Sequence, residues 1–345
     1  MSVETTATGT TAETFAPKAA ASAERFSWIT VAVLAIALVF PLLIWVFPGY
    51  VKNFHLFQLT QVMIYAIAIM GLNLLTGING QFSLGHSAFY AIGAYTAAIL
   101  MDQFGVSYVW TLPVAAVLCF IVGFLFGFPA LRLEGIYLAL ATFGLAVAAP
   151  QILKLTPLEH WTGGVQGIVI SKPDAPFGLK LSQDQWLYYF TLIVGFALYI
   201  FAKNIINSRT GRAMMAIRDN VVAARTMGVD VGLYKTLAFG VSAAYTGVAG
   251  ALGAIVVQFV APDSFTFALS IVLFVGLVVG GVGWLPGALF GGAFVLYVPN
   301  LAESFGEKAL SGAIYGVFLI LLIYVMPSGV AGLFRTVMRA LGPRH

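Results

Sequence analysis

Four histidines (His55, His86, His160, His345), one cysteine (Cys119) and thirteen acids are the reactive side chains of this chain. Metal-assisted hydrolysis needs ligands grouped as in H-E-x-x-H, and nucleophilic catalysis needs a thiol or hydroxyl beside a base. Neither pattern occurs, and no two acids pair inside an apolar run. Asp102 and Glu134 lie only at run ends, whereas ionisable groups at mid-bilayer mark proton relays or ion sites. A proton- or sodium-coupled carrier is therefore disfavoured, although carbonyls alone can hold sodium. No glycine is followed by lysine, so there is no G-x-x-x-x-G-K-[ST] phosphate loop, and any ATP-driven step needs another chain. No cofactor or metal is expected on this chain. The chemistry left is hydrogen bonding to a passing solute and docking to a partner.

Three polar stretches offer it. In LLTGINGQFSLGHSAFYAIGAY (74–95), Asn79, Gln81, Ser83 and His86 interrupt an apolar run. Unsatisfied backbone in lipid costs several kcal/mol per group, so such a break is buried in protein or lines a watery cavity. GGVGWLPGALFGG (280–292) is its counterpart, and interruptions in both halves of a transporter point to the substrate path. Asn79, Gln81, Ser83 and His86 are the candidate path residues. The alternative is a tight cytoplasmic turn at 77–85, with Ser83 capping the next helix and His86 bonded to a neighbouring carbonyl. In TGGVQG (162–167), Thr162, Gly163 and Gly164 offer backbone N–H groups to an anion or a docking protein, or form a plain turn.

The third stretch is GRAMMAIRDNVVAARTMGV (211–229). Asp219 reads as an N-cap, residues 220–227 hold no proline or glycine, and Gly228 suits the position after a helix end. Met214, Ile217, Val221, Ala224 and Met227 follow spacings of three and four and share a face, away from Arg212, Arg218 and Arg225. So short a helix is marginal in water and needs a surface, either lipid headgroups or a groove on a partner. Small residues at Ala223, Ala224 and Gly228 favour the partner.

These stretches are set in a chain that is 60% hydrophobic and 9% charged, with mean hydropathy +0.96, an integral membrane protein by composition. A bilayer core of about 30 Å needs roughly 20 apolar residues per helix. About ten such windows occur, at 27–47, 56–75, 82–101, 110–128, 135–153, 186–201, 237–260, 265–282, 284–299 and 309–326. The expected fold is an all-α polytopic membrane protein with some helices interrupted. Residues 1–26 read as a disordered tail, 27–327 as the membrane domain and 328–345 as a basic tail. The pairs Gly123/Gly127, Gly276/Gly280 and Gly287/Gly291 have the small-xxx-small spacing of close helix contacts, a spacing that 37 glycines also produce by chance. Lys203, Arg209, Arg212, Arg218, Arg225 and Lys235 place 204–236 in the cytoplasm by the positive-inside rule, which puts both termini there too. The loop at 154–185 then faces outward, with Trp161 and Trp186 at the interface. The net charge of +4 is spread between apolar runs, so no nucleic-acid partner is expected.

GLNLLTGINGQFSLGHSAFYAIGAYTA (71–97), TGGVQGI (162–168) and the 211–229 stretch together resemble the permease subunits of bacterial ATP-binding cassette importers for branched-chain amino acids, in particular their M-type. The resemblance implies a path formed with a second, H-type permease, two ATP-binding subunits that use ATP and magnesium, a periplasmic substrate-binding protein, and residence in the inner membrane. It also implies that 204–236 is a coupling segment related to the E-A-A-x-x-x-G loop, with Arg212, Met214, Ile217, Arg218, Asp219, Val221, Ala223, Ala224 and Gly228 as its docking residues. Val222 stands where the general loop has its acid. Permeases for urea or short-chain amides look alike across the same motifs, and a self-sufficient channel or carrier is the reading from another class.

Overall fold

The eight apolar windows between 56 and 299 each hold a helix in the computed structural model. It describes residues 53–305 apart from Arg132, Glu134 and 177–180, and beyond 305 only 316–317, 320, 324 and 329–332. The expected window 27–47 and the tail 1–26 lie outside the described residues, as do most of 309–326 and 328–345.

The helices are α1 (Asn53–Leu72, continued by a π-helical turn, Asn73–Ile78), α2 (His86–Asp102), α3 (Tyr108–Ala130), α4 (Ile136–Leu153), the single turn α5 (Glu159–Thr162), α6 (Gln183–Asn207), α7 (Arg209–Asp219), α8 (Val221–Thr226), α9 (Val231–Val257), α10 (Phe267–Gly280) and α11 (Gly287–Phe305). Among the described residues, five stretches are long and apolar enough to cross a membrane: Asn53–Ile78, Tyr108–Pro129, Ile136–Leu153, Gln183–Asn207 and Val231–Val257. The helix α2 has 17 residues, and the apolar stretches Phe267–Gly280 and Gly287–Leu301 are shorter than a full span. The fold is not wholly helical. Residues Ile168–Val169 (β1) pair antiparallel with Phe259–Val260 (β2), Ile168 opposite Val260, and Ile170 N–H extends the pairing to Gln258 O at 2.8 Å. This clip lies where α9 ends, with Gln258 in the left-handed region (φ 66°) as its C-cap.

The centre is α9, which packs against α1, α2 and α3. Its middle reads AAYTGVAGALGA, and residues 242–256 are all buried except the partly buried Ala244. Small side chains let the backbones of neighbouring helices approach each other, which replaces the hydrophobic drive that lipid does not supply. A Cβ on Gly247 would strike Cys119 on α3, 2.7 Å from its Cβ, and one on Gly93 of α2 would strike the carbonyl of Gly247. All three glycine pairs read from the sequence sit at helix crossings. Gly123 and Gly127 face Ala243 and Thr236 of α9, and Gly276 and Gly280 meet Gly291 and Gly287 across the α10–α11 contact.

Connections collect at two ends. One holds the loops after α2, α4 and α9, where Trp161 stacks on Phe104 and Trp186 Nε1 donates to Tyr108 Oη at 3.0 Å. The other holds 79–85, 281–286 and the α7–α8 pair. Lys235, read as a loop residue, is inside the first turns of α9 because Asp230 caps that helix, its Oδ1 accepting from Leu233 N–H at 3.0 Å.

The packing predicts that Gly247→Leu lowers stability by about 1–3 kcal/mol, the usual cost of overpacking. Gly144→Leu, where a Cβ meets nothing within 4 Å, should be near neutral. Thermal unfolding of the two purified variants in detergent checks this; equal melting temperatures would refute the central role of the α9 contacts.

Candidate functional site

The site begins where α1 ends. Over Asn73–Ile78 the helix widens to a π-helical turn, an uncommon geometry that often marks functional sites. The chain then reverses through Gly80, whose φ of +76° suits glycine, and Gln81 N–H reaches back to Leu75 O at 3.1 Å. Thr76 Oγ1 donates to Gln81 O at 3.0 Å and closes the reversal.

All four candidate path residues are buried: Asn79 2%, Gln81 6%, Ser83 1% and His86 1% exposed. They form two pairs. Asn79 Nδ2 donates to Gln81 Oε1 at 2.9 Å, and Ser83 Oγ lies 3.1 Å from His86 Nδ1. His86 Nε2 lies 2.7 Å from Ser242 Oγ in the middle of α9, and that hydroxyl donates to Gly71 O at 2.7 Å. A serine has one O–H, so Ser242 accepts from His86 Nε2–H; His86 Nδ1 then accepts from Ser83. Ser83 Oγ also takes Gly85 N–H at 3.4 Å, but the N-cap of α2 is Gly85, without a side-chain cap. Asn79 Oδ1 is buried with no hydrogen-bond partner among the described residues.

Three further residues complete the reversal and carry no motif in the sequence. Thr142 Oγ1 of α4 accepts from Leu84 N–H at 2.9 Å, and Ser270 Oγ of α10 accepts from Ser87 N–H at 2.9 Å. Asn73 joins the two interruptions: its Oδ1 accepts from Gly283 N–H at 2.8 Å and its Nδ2 donates to Trp284 O at 3.1 Å. Gly77 lies so close that a Cβ there would stand 2.5 Å from Gly283 N. The one sign of Asn73 in the sequence is an amide inside the otherwise apolar run GLNLLTG.

The coupling stretch differs from its sequence reading in three ways. It is two helices, α7 and α8, broken at Asn220. The N-cap of α8 is Asn220, not Asp219: Asn220 is extended (φ −160°, ψ 106°), so its side chain can turn back to accept Ala223 N–H at 3.0 Å. Asp219 ends α7, its carboxylate held by Arg218 Nε and Nη2 at 3.0 and 2.9 Å. The stripe expected to seek a partner is already covered. Ile217 and Ala224 are buried with Val231 and flanked by Val221, Val229 and Tyr234, while Met214 joins the main core. Met227 leaves the stripe, at 85% exposed, because α8 ends at Thr226 and Met227 is its C-cap; Val222 is 73% exposed. Arg212, Arg218, Asp219, Ala223, Arg225 and Gly228 are exposed as well. Gly228, with φ +81°, ends α8 as expected, and Val229 N–H returns to Ala224 O at 3.0 Å.

One contact ties this stretch to the reversal. Arg218 Nη1 donates to Gly77 O at 2.9 Å, and its methylenes lie over Gly80. Thr162, Gly163 and Gly164 stand at the opposite end. There Thr162 is buried, its Oγ1 lying 2.8 Å from Leu153 O and accepting from Gly164 N–H at 3.2 Å. The N–H groups of Gly163, Gln166 and Gly167 also bond within the loop, to Glu159 O or Gly163 O.

The family model described as "Branched-chain amino acid transport system / permease component" matches residues 55–324. The chain is 35% identical to the high-affinity branched-chain amino acid transport system permease protein LivM of Escherichia coli, over 80% of this chain and 69% of that protein. It is 26% identical to a probable branched-chain amino acid transport permease protein LivM of Methanocaldococcus jannaschii, over 78% and 83%, and 25% identical to the permease protein LivH of Salmonella typhimurium, over 78% and 91%. No solved structure matches. A mostly helical chain with two interrupted segments joined to a polar helix pair thus belongs to the family of permease components of branched-chain amino acid transport systems.

Proposed function

We propose that this chain forms, with a second permease, the path by which branched-chain amino acids enter the cell, and that two separate ATP-binding subunits drive it. The observation that carries the coupling is the exposed surface of α8. Val222 on the helix and Met227 at its C-cap are bare apolar side chains on a segment whose own apolar stripe is already covered, and Arg225 between them in sequence is exposed too. Exposed apolar side chains interleaved with an arginine are what a docking groove on a partner would cover. ATP and magnesium are handled by that partner, and this chain performs no covalent chemistry.

Orientation follows from charge. The end that holds α7 and α8 carries Arg212, Arg218 and Arg225, and the positive-inside rule places it in the cytoplasm of the inner membrane. With the windows at 27–47 and 309–326 counted, ten spans bring both termini to that side. The end with the TGGVQG loop then faces the periplasm, where a soluble binding protein delivers solute. Residues 27–327 are the membrane domain, with 204–236 as its coupling segment.

Asn79 and Gln81 follow the Gly77–Arg218 contact near the cytoplasmic end, whereas His86 meets Ser242 in the middle of α9, so the four candidates line the path from its inner mouth toward its middle. Ser83 and His86 are braced against α9 through Ser242. Asn79 Oδ1, an acceptor that the described residues leave open, suits the ammonium of an amino acid. Phe82, Ile136, Ala139 and Phe274 line an apolar hollow beside Ser83, whose chemistry suits an aliphatic side chain.

Reconstitution tests the reading. Proteoliposomes holding both permeases, the ATPases and the binding protein should accumulate leucine, isoleucine or valine only with ATP inside the cytoplasmic-side compartment. Uptake by this chain alone, downhill or with protons, would overturn it. Val222→Glu and Met227→Glu should each reduce co-purification of the ATPase subunits several-fold, in line with the loss of a hot-spot contact, while expression and melting temperature stay as in the wild type. Full ATPase recovery with both variants would remove α8 as the docking surface.

A further inference from the structure

The last turn of a helix leaves its carbonyls without partners inside the helix. At the end of α1 the chain meets part of this need itself, through Gln81 N–H on Leu75 O, but Gly77 O is taken by Arg218 from 141 residues away. The same turn carries Asn73, whose amide holds the backbone of Gly283 and Trp284. Three separate pieces of chain therefore meet at one point: the end of α7, the π-helical turn after α1, and the reversal between α10 and α11.

We propose that Arg218 and Asn73 are positioning residues that form a strut, through which displacement of α7 and α8 moves both interrupted segments together. The inference rests on the importer reading above and adds the route of coupling. Arg218 acts inward, on Gly77 O, rather than as a contact for the ATPase. The element with two states is the turn Asn73–Ile78. A π-helical turn holds one residue more per hydrogen-bonded ring than an α-helical one. Its conversion to α-helix shifts the following chain by about one residue, 1.5 Å along the axis. Pulling on Gly77 O biases that conversion, and Asn73, in the same turn, carries it to Gly283 and Trp284. Arg218 can pull because its guanidinium is anchored to Asp219 at the end of α7. Asn73 can pass the motion on because it is 1% exposed and bound to both backbone partners.

The test uses the whole complex in proteoliposomes and reads three quantities: ATPase co-purification, ATP hydrolysis, and leucine transported per ATP. Arg218→Ala and Asn73→Ala should both keep the ATPase subunits and still hydrolyse ATP, yet lower leucine transported per ATP by about tenfold, within the usual range for coupling between sites. Arg218→Lys, which keeps a cation and a donor, should recover part of the ratio. The double variant should be no worse than the worse single one, because the two residues act in series. Asn73→Ser, too short to hold both backbone partners, should show the same loss and serves if the alanine variant does not assemble. An unchanged ratio in Arg218→Ala or in the Asn73 variants overturns the strut, as do additive losses in the double variant. Loss of the ATPase from Arg218→Ala, with a normal ratio in the complexes that remain, makes Arg218 a docking residue instead. A wild-type complex that takes up no leucine with ATP overturns the importer reading and the strut with it.

Discussion

Backbone that leaves a helix inside an apolar surrounding has no water to bond, and this constraint organises the described structure. At 79–85 and 281–286 the chain reverses, and side chains from distant helices supply the missing partners. Thr142 serves Leu84 N–H, Ser270 serves Ser87 N–H, Asn73 serves Gly283 N–H and Trp284 O, and Arg218 serves Gly77 O. Ser242 serves Gly71 O while receiving His86. Each bond joins elements far apart in sequence, so satisfying the reversals also fixes how the helices stand.

The second organising feature follows from the first. Polar side chains are short, and bonds of 2.7–3.1 Å between helices require backbones to come close. The small-residue face of α9 permits that approach: Gly247 against α3, and the Gly93 contact with α2. Apolar contact supplies little drive between helices in lipid, so packing and interhelical hydrogen bonds must do what hydrophobic burial does in water. His86, Ser83 and Ser242 thus hold the start of α2 to the middle of α9 by the same geometry that brings the two helices together.

Much of this was legible in the sequence, for physical reasons. Apolar windows of bilayer length became helices because nothing else satisfies the backbone there, and Gly228 ended α8 because the turn needs positive φ. The short β1–β2 clip left no trace, since two residues cannot display an alternation. Asp219 and Asn220 both suit an N-cap, and only the pairing of Asp219 with Arg218 decides between them. Periodicity did mark Met214, Ile217, Val221 and Ala224 as one face. It could not say what covers that face, and the chain's own Val231 and Tyr234 do so. Among the candidate path residues, polarity was visible, but not that all four bond within this same chain. The partners Asn73, Thr142, Ser242 and Ser270 were hidden, because single polar residues in apolar helices carry no spacing signal.

The identity of residue 218 shows how far the chemistry is specified. An ammonium is a compact charge that would settle on Asp219 or on Gly77 O. A guanidinium has five donors in a rigid fork, and here Nε and Nη2 are spent on the carboxylate while Nη1 remains for the carbonyl. The carboxylate fixes the plane of the fork, so the direction of the third bond is set by the end of α7 rather than by a mobile side chain. The arginine is also placed at a helix C-terminus, where a cation meets the negative end of the dipole. A polar segment in an apolar chain is therefore bound on both faces: its apolar stripe lies on α9, and its central arginine lies on the reversal after α1. The outer surface, with Arg212, Val222, Ala223, Arg225 and Met227, remains for another protein.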